Sequence, residues 1–103
     1  MGTYLRERLE GMSDHPSVGD IRGRGLMAAV EIVKDKATKE PIGVLPMQST
    51  HRVEDIMWEK GVYGRAMMEN VAIAPPFTVT KQDIDTIVDV LDASISQMEK
   101  EML

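Results

Sequence analysis

Apolar positions along the chain recur with two different periods, and the alternation between them predicts its elements. Tyr4, Leu5, Leu9 and Met12 fall at helical spacing, with Arg6, Glu7, Arg8 and Glu10 on the remaining faces. Gly11 and the run Ser13-Asp14-His15-Pro16 end this first helix. No capping residue precedes it, so it reads as a helix entered from something upstream. The chain is then punctuated by glycine from Gly19 to Gly25, and Gly23-Arg24-Gly25 reads as a tight turn entering a strand. Leu26 to Val33 follows as a nearly continuous apolar run whose β-branched residues and short length predict a strand. Lys34 to Lys39 is a charged turn, and Pro41, Gly43 and Pro46 predict an irregular surface loop up to Met47.

Ser49 or Thr50 is the predicted cap of a second helix, spaced by Val53, Ile56, Met57 and Lys60 and stopped by Gly61 in a left-handed conformation. Val62–Met67 and Val71–Ala74 form a hairpin-like pair around Met68-Glu69-Asn70, with Asn70 as the residue that tolerates a left-handed backbone. Pro75-Pro76 ends the second of these strands. Thr80 with Asp83 three residues on is a capping-box pattern, and Ile84, Ile87, Val88, Leu91, Ile95, Met98 and Met102 trace one stripe on a final helix. The expected fold is therefore α+β, a single domain over residues 1–103. An antiparallel sheet of about three strands with helices packed on one face would bury every stripe.

Composition narrows the function classes. At 103 residues the chain is the size of one domain, and it has no cysteine for a disulfide, thiolate metal site or nucleophile. A formal charge of −5 and only four aromatic residues argue against nucleic acid as a partner. No segment approaches the ~20 apolar residues that span a bilayer, and no secretion signal is present, so the expectation is a cytoplasmic protein without a membrane partner.

The motifs carry little chemistry by themselves. Gly23-Arg24-Gly25-Leu26-Met27-Ala28 matches a G-x-G-x-x-A dinucleotide pattern, but here the glycines lead into the strand instead of following one. His15 and His51 lie far apart with no metal-ligand pairing and read as surface histidines. Asp83, Asp85, Asp89 and Asp92 read as a solvated helix face. Arg65, in Gly61-Val62-Tyr63-Gly64-Arg65, carries a planar fork of donors suited to a carboxylate, although an arginine in a polar hairpin is most often a surface charge.

Three segments together change that reading of Arg65. They are Val18-Gly19-Asp20-Ile21-Arg22-Gly23-Arg24-Gly25-Leu26-Met27 running into Val30-Glu31-Ile32-Val33, with Asp35 and Thr38 beyond; Gly61-Val62-Tyr63-Gly64-Arg65; and Ile73-Ala74-Pro75-Pro76-Phe77 with Thr80 to Asp85. In this order and spacing the chain resembles the C-terminal small domain of the class III, fold-type I, pyridoxal-phosphate aminotransferases, the ω-amino acid or amine:pyruvate group. Met68-Glu69-Asn70 departs from the Gly-Asp turn of many members. The resemblance implies that Arg65 binds the carboxylate of an amino or keto acid and swings aside for an amine. It also implies pyridoxal 5'-phosphate as cofactor of a parent enzyme, whose Schiff-base lysine and pyridinium acid lie in a large domain absent from this chain. None of Lys34, Lys36, Lys39, Lys60, Lys81 and Lys100 has a buried, glycine-flanked setting. The chain alone is then expected to bind no cofactor and to be catalytically incomplete. Its expected partners are that large domain, amino donor and keto acid, and a second copy in a homo-oligomer. The alternative is a free-standing self-association module derived from such a domain.

Overall fold

A computed structural model describes residues 2–24, 27–34, 36–37, 47–68, 70–75 and 79–102. Among the described residues three helices and four strands follow one another as α1 (Gly2–Glu10), β1 (Val18–Arg24), β2 (Met27–Ile32), α2 (Met47–Glu59), β3 (Arg65–Met67), β4 (Asn70–Ile73) and α3 (Lys81–Met102). The strands form one antiparallel sheet in the order β1-β2-β4-β3. This is the expected α+β class, with one strand more than the three or so predicted.

The additional strand, β1, covers the glycine-punctuated stretch, where the sequence pattern predicts no strand. Its glycines serve close strand approach. A Cβ on Gly19 would lie 2.8 Å from Val33 Cγ2, and one on Gly23 would lie 2.5 Å from the Met27 carbonyl oxygen. The register slips between Val18 and Asp20, a β-bulge at the crowded end of the strand.

Strand alternation separates the two sheet faces. Ala28, Val30 and Ile32 of β2 and Val71 and Ile73 of β4 are buried, while Ala29, Glu31, Asn70 and Ala72 point the other way and are partly exposed. The buried set joins Leu5 and Leu9 of α1, Val53 and Met57 of α2, and Ile84, Val88, Leu91, Ile95 and Met98 of α3 in one core. All three helices thus cover one face, as the stripes require.

The local signals at the helix ends hold in part. Thr80 and Asp83 form the capping box reciprocally, Thr80 N–H donating to Asp83 Oδ2 at 3.0 Å and Asp83 N–H to Thr80 Oγ1 at 3.1 Å. Gly61 adopts φ 83°, and the Val62 N–H returns to the Met57 carbonyl at 3.0 Å, closing α2 as predicted. At its other end α2 begins at Met47, so Ser49 and Thr50 lie inside the helix, both buried, and do not cap it. Thr50 instead donates its hydroxyl to the Met68 carbonyl at 2.6 Å. Met68, not Asn70, takes the left-handed backbone of the β3–β4 turn, at φ 57°. Asn70 is drawn into β4, where it pairs with Glu31 and Met67. The loop expected over 34–47 falls largely outside the described residues, as do Leu26, Asp35, Thr38, Pro76 and Phe77.

Candidate functional site

Arg65 opens β3, an edge strand of the sheet, and is exposed. Direct antiparallel pairing sets Arg65 opposite Ala72, Ala72 opposite Ala29, and Ala29 opposite Arg22. Residues directly opposite one another share a face, so two arginines flank two alanines across the face that α1, α2 and α3 leave uncovered. The short alanines leave a depression there of ≈ 450 Å³, lined by Arg22, Gly23, Met27, Ala28, Ala29, Ala72, Ile73 and Ala74. Arg65 stands beside its Ala72 edge.

The two arginines are not equivalent. Arg22 donates to Asn70 Oδ1 and lies 3.6 Å from Asp20 and 3.7 Å from Glu31, so its charge is already answered within the sheet. Among the described residues the Arg65 guanidinium has no hydrogen bond or ion pair. An exposed guanidinium with its donors uncommitted is free to grip a planar carboxylate through two parallel bonds. A larger cavity of ≈ 570 Å³ lies between α1 and the β1–β2 end, lined by Thr3, Leu5, Arg6, Glu7, Glu10, Gly23, Met27 and Ala28. It is lined by no residue of β3 or β4 and meets the depression only at Gly23, Met27 and Ala28, at the end away from Arg65.

The backbone around Arg65 is tightly held. Gly64 is buried against Met57, whose Cε and Sδ would lie 3.0 Å from a Cβ at that position. Trp58 Nε1 donates to the Gly64 carbonyl at 3.1 Å, and the Ala66 N–H donates to Glu54 Oε2 at 2.6 Å. Trp58 also meets Tyr63 edge-on, with ring centroids 5.1 Å apart. Nothing in the local sequence marks Glu54 and Trp58 beyond ordinary helix residues. Their four-residue spacing and the nearby arginine are the one signal available in advance.

The other sequence-flagged residues gather elsewhere. His15 is half-buried rather than a free surface histidine, with its Nδ1 2.9 Å from Glu99 Oε1 and its Nε2 hydrogen-bonded to Asp92. Glu99 also accepts from the Ser17 N–H at 3.0 Å and hydroxyl at 2.6 Å. Burial opposes the charged imidazole, but the bonds to Asp92 and Glu99 outweigh it and hold His15 above its ordinary value. Burial likewise works against the Glu99 carboxylate, and the Ser17 and His15 bonds prevail and lower it. This cluster ties the turn after α1 to α3 and is not part of the Arg65 site. Asp85 and Asp89 face Arg8 of α1 at 3.2 and 2.6 Å, so the acidic face of α3 is solvated and also docks α1. His51 is exposed, 3.9 Å from Glu54 Oε1. Among the described residues no group of His, Asp and Glu could hold a metal ion.

The described lysines, Lys34, Lys36, Lys60, Lys81 and Lys100, are all exposed. Lys36 donates to the Ser13 carbonyl at 2.5 Å, and Lys81 sits 5.2 Å above the Tyr4 ring. None occupies the desolvated place that a Schiff-base lysine needs, and Lys39 lies outside the described residues. These residues do not by themselves fit pyridoxal phosphate.

The family description Aminotransferase class-III matches residues 1–95 of the chain. The chain belongs to the class III aminotransferase family. Within that family it is 38% identical over 102 residues to alanine–glyoxylate aminotransferase 2 homolog 2, mitochondrial, of Arabidopsis thaliana, covering 95% of this chain and 20% of that protein. It is 37% identical over 105 residues to taurine–pyruvate aminotransferase of Bilophila wadsworthia, covering 97% and 23%. The omega transaminase from Pseudomonas jessenii superposes with a TM-score of 0.92 at 36% identity, again over 97% of this chain and 22% of that one. The chain thus spans about a fifth of the length of these class III relatives. In general the family depends on pyridoxal phosphate. No described helix is long and apolar enough to cross a membrane.

Proposed function

We propose that the chain is the closing, C-terminal piece of a pyridoxal-phosphate-dependent class III aminotransferase and that Arg65 is its carboxylate receptor. The complete enzyme exchanges an amino group between an amine or ω-amino acid and a keto acid such as pyruvate. The supporting observation is Arg65 itself, exposed beside the Ala72 edge of a shallow depression with no described partner for its guanidinium. Two charge-assisted bonds there hold a keto-acid carboxylate, and withdrawal of the long side chain opens apolar space for an uncharged amine tail. The cofactor, when bound, supplies the electron sink for amino-group transfer; its lysine lies on a large domain outside this chain. The enzyme works as a cytoplasmic homo-oligomer.

The test is a hybrid in which this chain replaces the matching segment of the Pseudomonas jessenii omega transaminase, assayed beside the isolated chain. The hybrid should transfer an amino group to pyruvate, and the isolated chain should neither turn over nor keep the cofactor absorbance through dialysis. A folded, cofactor-loaded hybrid without turnover refutes the assignment, and an isolated chain that retains cofactor refutes the claim of incompleteness.

A second reading has its own observation. Met27, Trp58, Tyr63, Met67 and Met68 are all at least 50% exposed, which favours a self-associating module that covers these apolar side chains with a second copy. Sedimentation of the isolated chain as a monomer at all concentrations removes it.

A further inference from the structure

Three polar side chains of α2 recur every four residues: Thr50, Glu54 and Trp58. Each is hydrogen-bonded to the backbone of the β3 segment, and their partners recur every two residues. Trp58 Nε1 donates to the Gly64 carbonyl at 3.1 Å, Glu54 Oε2 accepts from the Ala66 N–H at 2.6 Å, and Thr50 Oγ1 donates to the Met68 carbonyl at 2.6 Å. The match is geometric. Four residues of helix advance about 6 Å, and two residues of strand advance about 6.6 Å. A helix running antiparallel to β3 therefore keeps step with every second strand residue, those whose backbone groups point away from β4. α2 occupies the place of a fifth strand at that edge. The opposite edge is treated similarly but more lightly: Arg6 of α1 donates to the Ile21 carbonyl at 2.9 Å and the Gly23 carbonyl at 3.4 Å.

Arg65 lies between the first two rungs. Its preceding carbonyl is held by Trp58, its following N–H by Glu54, and Gly64 is pressed on Met57. Its side chain stays uncommitted among the described residues while its backbone is fixed on both flanks. We infer that Thr50, Glu54 and Trp58 are positioning residues for Arg65: the rungs fix where the guanidinium is anchored, so that its movement is confined to the side chain. This rests on the reading of Arg65 as carboxylate receptor.

The ladder and the receptor are tested separately. In the 103-residue chain, amide hydrogen exchange at Ala66 should accelerate at least ~10-fold in Glu54→Ala and return close to the original rate in Glu54→Gln, whose side-chain oxygen still accepts. Trp58→Phe removes a donor and keeps the ring, and Thr50→Val removes a hydroxyl at nearly constant shape, so both variants keep a folded protein for comparison. In the hybrid transaminase, Glu54→Ala and Trp58→Phe should raise KM for pyruvate several-fold while leaving kcat for an amine donor without a carboxylate within about twofold. Unchanged Ala66 exchange in Glu54→Ala overturns the ladder. Accelerated exchange with an unchanged KM for pyruvate, in a hybrid where Arg65→Ala raises that KM, overturns its positioning role. If Arg65→Ala itself leaves KM for pyruvate unchanged, the receptor reading fails, and the exchange data still decide whether the ladder exists.

Discussion

Substituting alanine for Gly23 should push β1 off β2 and destabilise the sheet at the end where it meets α1. The added Cβ would stand 2.5 Å from the Met27 carbonyl oxygen, 2.9 Å from Ala28 Cα and 3.1 Å from Ala28 Cβ. The first of these is about 1 Å inside the ~3.5 Å that is the near limit of favourable non-bonded contact. The obstructing atoms are mostly backbone, so no rotamer change relieves them; the strands must separate. Overpacking of this kind costs about 1–3 kcal/mol, and for a domain of this size each kcal/mol lowers Tm by roughly 4–8 °C. Urea unfolding of the 103-residue chain measures the loss, and amide exchange locates it at the Gly23–Ala28 and Arg24–Met27 pairs. Gly61→Ala is the control: its Cβ meets nothing within 4 Å, but the backbone sits at φ 83°, so it loses roughly 1–2 kcal/mol through conformation alone without opening β1–β2. A Gly23→Ala variant within about 0.5 kcal/mol of the parent, the size of an ordinary surface change, would show that the glycine is not there for close approach.

Stability should also depend on pH through the His15 cluster. His15 is raised, so its contribution is complete below the ordinary 6.5 and is lost as pH rises through the higher folded value. Glu99 is lowered, so its contribution is present above 4.5 and is lost as pH falls through the lower folded value. Thermal melts should therefore place this contribution at its greatest between about 4.5 and 6.5, and His15→Gln should flatten the decline on the alkaline side; an unaltered profile counts against the cluster. Leu91→Ala, at a fully buried position of the α3 stripe, should cost about 2.7–5 kcal/mol in urea unfolding. Thr80→Ala breaks one half of the capping box and should cost about 1 kcal/mol; a loss below a few tenths would mean that the box does not stabilise α3.

Much of the fold is legible in local pattern because its elements satisfy their own rules. The Ile84–Met98 stripe, the Thr80–Asp83 box and the Gly61 stop each depend on neighbours within one or two turns. β1 is not legible in that way, since its glycines mean close approach only once β2 lies across from them. The same holds for Thr50. Its hydroxyl is a plausible helix cap in isolation, yet tertiary packing carries it inside α2 and gives it the Met68 carbonyl. Arg65 stands out in the sequence through family resemblance, and its register opposite Ala72 adds the surroundings that composition lacks. The residues that bracket it show beforehand only a four-residue spacing, because helix period and strand period match only after α2 docks on β3.

The most direct test of the central claim separates the two half-reactions in the hybrid transaminase carrying Arg65→Ala. Losing two charge-assisted hydrogen bonds of about 1.5–3 kcal/mol each should lower kcat/KM for pyruvate by at least ~100-fold, while the half-reaction of a carboxylate-free amine stays within about twofold. Equal losses in both half-reactions, or none in either, would contradict Arg65 as the carboxylate receptor.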